Sequence, residues 1–321
     1  MNYKQTQIAI SQAKTFFQQQ LEANLNLTLV TGPIMLDPAT GLNDHLADNY
    51  QAVSFYAEAL DKELEVVQSL AKWKRYALKK YEYQLHEGIY VDMKAIRSHE
   101  SLDHLHSLFV DQWDWEVIIS KNERTINKLQ AMVRKIYEVI LHTHNYLNRL
   151  YPQLQNKLPE EVVFFESQTL ENDYPNEDFE TITQKVVQKH KAVFIMQIGK
   201  KLASGRIFDG RSAEYDDWEL NGDLFLWSDV LAQAIEISSM GIRVDAASLI
   251  KQTQIDPKKK NLNPYFQAVL NDELDATIGG GIGQSRLIMF LLEKQHIGQI
   301  QATTWDANTL KTTKKAGINL L

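Results

Sequence analysis

The chain has 321 residues, 44% of them hydrophobic and 23% charged, with a formal net charge of −7 and no cysteine. The acidic balance argues against broad electrostatic binding of nucleic acid or of an anionic membrane, and the missing cysteine excludes disulfides, cysteine-ligated zinc and thiol nucleophiles. The N-terminus MNYKQTQIAISQ has no apolar signal core and no apolar run approaches the roughly 18 residues of a membrane span, so a cytoplasmic location is expected.

Residues 5–26 are predicted to form an amphipathic helix, with Phe17, Leu21 and Leu25 recurring on one face. The strand-like LTLV follows and ends at Gly32-Pro33, and residues 37–50 read as a polar loop. VSFYAEAL and EVVQS read as short strands, and AKWKRYALKKYEY as a helix starting near residue 70. GIYVDMKAIR (88–97) and SLFVDQWDWEVII (107–119) are expected to pair antiparallel across the polar loop SHESLDHLH. Residues 123–148 carry a helical stripe of Ile126, Leu129, Val133, Ile136 and Ile140. VVFFES and AVFIMQIG are apolar runs consistent with buried strands, with the helical DFETITQKVVQKH between them. GRSAEYDDWELNG reads as a polar stretch; LFLW and AIEISSMGIRVD read as strands, followed by helices to about residue 271, a glycine-rich loop, a helix, and QIQATTW as a last short strand. No repeat or Pro/Gly/Ser linker interrupts the chain, so one α+β domain over residues 1–321 with a largely antiparallel sheet is expected.

Polar residues gather in a few places. Strand alternation puts Gln112, Asp114 and Glu116 on one face and Trp113, Trp115 and Val117 on the other. The aromatic face must be buried; the acidic face is either solvated or holds a ligand. Arg97 ends the partner strand, and His106 is the one histidine near the acidic strand. Alternation sets Glu236 and Ser238 on a shared face, with Ser239 and Arg243 close by and Asp216, Asp217 and Asp223 upstream. Two acids on neighbouring elements could hold Mg²⁺, which takes one or two carboxylates plus substrate phosphates. The helix SLAKWKRY adds Ser69, Lys72 and Lys74, whose basic character alone reads as a solvated face. His142 and His144, two apart on a helix, face different ways and make no metal pair.

GGGIGQSR (279–286) lacks the Lys-Ser/Thr of a P-loop and the third glycine of a dinucleotide fingerprint. On its own it reads as a glycine-rich entry to a buried helix with Arg286 in the first turn, serving close helix–sheet packing. Arginines for phosphate, acids for Mg²⁺ and a lysine for a carboxylate together suit a carboxylate-activating ATP enzyme.

Three segments in order carry a resemblance. FFQQQLEANLNLTLVTGPIM (within about 5–35) resembles motif 1 of class II aminoacyl-tRNA synthetases, MKAIRSHESLDHLHSLFVDQWDWE (within about 88–118) motif 2, and GGGIGQSRLIM (within about 277–293) motif 3. The aspartate branch is the nearest within that class, and the phrases SLAKWKR, VDQWDWE, EISSMGIRVD and GGGIGQSRL resemble the ammonia-dependent asparagine synthetases, the aspartate–ammonia ligase family, over essentially the whole chain. One departure is visible: only Glu219 and Leu220 stand between DDW and NGD, where related members can carry a longer loop.

The resemblance implies a class II synthetase-like catalytic domain, a homodimer formed through motif 1, ATP and Mg²⁺, and conversion of aspartate and ammonia to asparagine through a β-aspartyl-adenylate. It implies that Arg97 contacts the α-phosphate, that Arg286 flanks the nucleotide with His106 and Val110, and that Glu236 and Asp223 hold Mg²⁺. Aspartate would lie among Asp44, Ser69, Lys74, Gln112, Asp114, Ser238, Ser239 and Arg243. Lys74 and Ser69 are expected to take its α-carboxylate and Asp44 the incoming ammonium. A truncated tRNA synthetase and a non-catalytic paralogue would share the fold. Acidic charge and the missing anticodon-binding barrel speak against the first, and retention of Arg97, Arg286, Glu236 and Lys74 against the second.

Overall fold

The computed structural model describes residues 1–45, 51–155, 157–259 and 262–321. Helix α1 (Tyr3–Leu25) opens on a capping box between Asn2 and Gln5, buries the expected Phe17, Leu21 and Leu25, and ends at Asn26 in the left-handed region. Strand β1 (Leu27–Leu29) follows. In the predicted loop, Asp37 caps a single 3₁₀ turn over Pro38–Thr40, while residues 46–50 lie outside the described residues. Strands β2 (Met35–Leu36), β3 (Ser54–Ala57) and β4 (Lys62–Val66) form a separate antiparallel sheet in the order β2-β4-β3.

Helix α2 (Ala71–Lys80) leads to β5 (Gly88–Ile96) and β6 (Phe109–Ile118), which pair antiparallel as the alternation predicts. Then come α3 (Ile126–Leu150), β7 (Val163–Glu166), α4 (Ser167–Asp173), α5 (Phe179–His190) and β8 (Ala192–Met196). The long strands β9 (Asp216–Ser228) and β10 (Gln233–Arg243) are followed by α6 (Ala246–Thr253), α7 (Pro264–Leu270), β11 (Thr277–Gly283), α8 (Gln284–Leu291) and α9 (Ala307–Lys315). The main sheet runs β1-β5-β6-β11-β10-β9-β8-β7, with parallel pairing only at its two ends.

One face of this sheet is the main core. Helices α1, α3 and α8 cover it, and Phe17 stacks on Trp113 with ring centroids 4.2 Å apart. On the other face, Val67 and Leu70 before α2 pack on Val91 and Met93, and Ile182 and Val186 of α5 pack with Val193 and Ile195. Between these two covers, the middle strands β6, β11, β10 and β9 carry an open cleft.

Three expectations are corrected. The glycine run is a central strand rather than a loop, and none of its glycines has a positive φ. Its glycines answer to crowding: a Cβ on Gly279 would stand 2.0 Å from Glu116 Oε2, on Gly280 2.4 Å from the Ser239 carbonyl, and on Gly281 2.3 Å from Gln112 Oε1. The second half of GRSAEYDDWELNG is already strand β9; its acids are paired rather than free, Asp216 with Arg243 across the sheet, Asp217 with Arg124 and Glu219 with Lys200. QIQATTW forms no strand; Ile297–Gln299 is a 3₁₀ turn, and the polar side chain of Gln301 is spent on β6 and the loop before it.

Candidate active site

Cross-strand neighbours share a face, so the register fixes which side chains meet over the open cleft. One row runs Glu116–Gly279–Gly241–Asn221, the next Asp114–Gly281–Ser239–Asp223, and Gln112 faces Gly283. The predicted polar face of β6 is therefore real, and it is not solvated: Asp114 is 3% exposed and Glu116 0%. The glycines of β11 leave a trough in which the acids on β6 and the polar groups on β10 approach one another.

A bulge between Glu236 and Ser238 breaks the alternation of β10. Ser238 lies opposite Leu224 and Ile282 of the core and donates its hydroxyl to the Gly281 carbonyl at 2.9 Å. Ser239 takes the place beside Glu236, donating to Asp223 Oδ1 at 2.5 Å and to Glu236 Oε1 at 3.2 Å. The shared face expected for Glu236 and Ser238 thus belongs to Glu236 and Ser239, while Ser238 still borders the cleft.

The basic helix is not a solvated face either, since Lys72 and Lys74 are fully buried. Lys74 Nζ is hydrogen-bonded to Asp114 and, at 2.8 Å, to the Trp115 carbonyl, and it lies 3.6 Å from Glu116 Oε2. The second Asp114 oxygen accepts the Leu70 N–H at 2.9 Å. Arg243 grips Glu116 through Nε at 2.9 Å and Nη2 at 2.7 Å and also pairs with Asp216. Burial pushes the Asp114 carboxyl up against the pull of Lys74, whereas Arg243 and Lys74 overcome burial at Glu116 and hold it down.

Asp44, fully buried, anchors the start of α2. Its carboxylate accepts from Ser69 Oγ at 2.5 Å, Ala71 N at 2.6 Å and Lys72 N at 3.1 Å, satisfying N–H groups that the helix itself leaves open. Asp44, Lys74 and Asp223 each lie one hydrogen bond from the cleft lining: Asp44 accepts from Ser69, Lys74 is bonded to Asp114, and Asp223 accepts from Ser239.

The other half of the cleft, about 450 Å³ in all, contains Arg97, His106, Val110, Glu236 and Arg286. Arg286, in the first turn of α8, lies 3.6 Å from Glu236 Oε2, and His106 Nδ1 lies 2.9 Å from Asp103. Arg211, Asp209 and Tyr215 also line it. Arg211 and Tyr215 sit in the stretch GRSAEYDDWELNG that reads as polar, and Asp209 immediately precedes it; the signal in the sequence is an arginine and acids crowded before a strand. Arg211 pairs with Asp223 and with Asp216 at 3.7 Å. Arg97 Nε and Arg211 Nε are buried donors without a hydrogen-bond partner among the described residues. Leaving a charged N–H unsatisfied is costly, so the two guanidiniums mark places for an anion.

Among the described residues no three acidic or histidine groups converge to hold a metal by themselves. Glu236 and Asp223, bridged by Ser239, do fit an ion that takes only one or two carboxylates from the protein. Burial pushes Asp223 up to about 7, Arg211 pulls it down, and Glu236 and Asp209 add to the upward push. Such crowding of negative charge is what a cation would relieve.

Comparison with known proteins now meets this geometry. The aspartate-ammonia ligase family matches residues 4–317. The aspartate–ammonia ligase of Ureaplasma urealyticum is 48% identical over 319 residues, 99% of this chain and 97% of that one. The Clostridium perfringens enzyme is 45% identical over 323 residues, 100% and 96% of the two chains. Among solved structures, an asparaginyl-tRNA synthetase of Entamoeba histolytica in complex with asparaginyl-adenylate superposes with a TM-score of 0.65 at 13% identity, over 93% of this chain and 66% of that chain. The Pyrococcus horikoshii asparaginyl-tRNA synthetase gives 0.65 at 12% identity, over 93% and 68%. The synthetases establish the class II catalytic fold, while the full-length ligases establish the activity. The chain belongs to the aspartate–ammonia ligase family: it is a ligase of asparagine biosynthesis built on a class II synthetase catalytic fold.

Proposed function

We propose that this ligase activates aspartate with ATP as a β-aspartyl-adenylate within one catalytic domain spanning the chain. A β-carboxylate oxygen attacks the α-phosphorus, and the bond from that phosphorus to pyrophosphate breaks. Ammonia then attacks the activated carbonyl carbon, AMP leaves with the carboxylate oxygen, and the nitrogen loses one proton to give asparagine. The observation that carries this reading is the pairing of two halves in one cleft: on one side the buried Nε donors of Arg97 and Arg211, which have no hydrogen-bond partner among the described residues, and on the other the charge-balanced cluster of Asp114, Lys74, Glu116 and Arg243. The first half suits phosphates and the second an amino acid bearing both charges.

In this reading Arg97 and Arg286 stabilise charge on the transferring nucleotide, with His106 and Val110 beside it and Arg211 toward the pyrophosphate. Gln112, Ser69, Ser239 and Arg243 meet aspartate, and Lys74 acts on it through Asp114. Glu236 and Asp223 would hold Mg²⁺, which neutralises phosphate charge when bound. Asp44 uses three of about four acceptor positions of a carboxylate, which leaves one for an ammonium ion. Leu29, Ile34 and Met35 are exposed apolar side chains in the first of the three family motifs, and they support a homodimer through that segment. A cytoplasmic location belongs to the same proposal.

The test is aspartate-dependent exchange of label between pyrophosphate and ATP without ammonia, followed by AMP release when ammonia is added. A heavy-oxygen label in the β-carboxylate should appear in AMP. Exchange that requires ammonia, or label that appears in phosphate instead, would exclude the adenylate.

A further inference from the structure

Asp111 is 5% exposed, lies on β6 one residue before Gln112, and plays no part in the chemistry described above. Its Oδ1 accepts the backbone N–H of Ser285 at 3.0 Å and Gln301 Nε2 at 3.4 Å, and its Oδ2 accepts Lys14 Nζ from α1 at 3.3 Å. Helix α8 begins after Gly283, which has no side chain to cap it, so the carboxylate of Asp111 does this from a neighbouring element. Arg286 is the next residue along.

Gln301 extends the same contact to the β5–β6 loop. Its Oε1 accepts Ser107 Oγ at 2.7 Å, and its Nε2 also donates to the Phe109 carbonyl at 3.1 Å. Ser107 is 3% exposed and follows His106 directly. Three donors therefore converge on one carboxylate, and two of them lead to segments whose residues, Arg286 and His106, line the nucleotide half of the cleft.

We propose that Asp111 is a positioning residue for ATP: it holds the start of α8, and with it Arg286, in register with the loop that carries His106, using Gln301 as the strut. Asp111 borders the cleft, but in this role its carboxylate is taken up by its three donors rather than by a reacting atom. The proposal rests on the reading of Arg286 and His106 as flanking the nucleotide. An asparagine at this place has the same shape but offers one acceptor oxygen to three donors and turns its own N–H₂ against one of them.

Steady-state kinetics of the full-length enzyme, with ATP and aspartate varied separately, tests it in three variants. Asp111→Asn should raise the ATP KM about tenfold or more, the loss expected for hydrogen bonds to a charged group, with the aspartate KM within about threefold of wild type. Gln301→Met cuts only the loop arm and should raise the ATP KM less, again sparing aspartate. If Asp111→Asn does not fold, Gln301→Met decides alone. An unchanged ATP KM in Gln301→Met, or ATP and aspartate KM rising in step in either variant, overturns the proposal. Arg286→Ala separates this failure from that of the underlying reading: if it too leaves the ATP KM unchanged, the nucleotide site is misassigned, whereas a raised KM there with Asp111→Asn and Gln301→Met unchanged defeats only the positioning role.

Discussion

Strand β11 can be tested one glycine at a time. Gly279→Ala would put a methyl 2.0 Å from Glu116 Oε2 and 2.6 Å from the Trp115 carbonyl. Neither neighbour can yield freely: one is backbone, and the other is a fully buried carboxylate clamped by Arg243. Overpacking alone costs about 1–3 kcal/mol, and disturbing a buried ion pair adds to it, so a loss of about 3 kcal/mol or more is expected. At this chain length that lowers Tm by about 5 °C. For Gly281→Ala the three nearest atoms all belong to the Gln112 side chain, the closest at 2.3 Å. That amide can swing away, so stability should fall by less than about 1 kcal/mol, while the aspartate KM rises about two- to tenfold for the lost neutral hydrogen bond. Gly283→Ala is the control, since its nearest neighbour would be Arg286 Cβ at an ordinary 3.6 Å. Thermal melts and aspartate titrations of the three variants check this. A Gly279→Ala variant as stable as Gly283→Ala, or a Gly281→Ala variant with wild-type aspartate KM, would refute the crowding account.

The remaining predictions concern charge. Arg97→Ala should slow ATP–pyrophosphate exchange about 100- to 1,000-fold, the usual effect of losing one preorganised donor to developing charge; exchange near wild type in a folded variant removes Arg97 from the site. Lys74→Met leaves Asp114 without its buried counter-ion and should cost about 3–5 kcal/mol. Urea denaturation reads that loss, and an unchanged aspartate KM in the folded variant would make Lys74 structural only. Asp44→Asn should lower stability by about 1 kcal/mol through the weakened anchor of α2. An ammonium role further requires the ammonia KM to rise with exchange retained; a stability change alone leaves Asp44 as the anchor. Glu214 sits 2.8 Å from the buried Lys72 and near His45, and these contacts hold its carboxyl at about 2 against the upward push of burial. Its folded pKa is depressed, so its contribution to stability is present above the ordinary 4.5 and is lost as pH falls toward about 2. Glu214→Gln should therefore be less stable than wild type near neutral pH, with the gap between them narrowing in acid melts below pH 4.5; a gap that stays constant would show that the charge is not what stabilises.

What the chain carries locally was legible without the fold. Helices α1 and α3 follow from their apolar stripes, and the β5–β6 pair from strict alternation, which also set Gln112, Asp114 and Glu116 on one face. These are period effects confined to neighbours along the chain. The glycine run was not legible in the same way, because its reason lies on other strands: Gly279 and Gly281 are small on account of Glu116 and Gln112 beside them, and nothing within residues 279–286 says so. The exchange of Ser238 for Ser239 depended on a bulge that only the pairing of β10 with β9 and β11 reveals. The burial of Lys72 and Lys74 had the same origin, since a basic helix reads as solvated until the carboxylates it meets, Glu214 and Asp114, are brought from distant segments. Sequence patterns report the environment a residue shares with its own element. Which charges meet, and which are left with a free donor for a ligand, is decided by contacts between elements far apart in the chain.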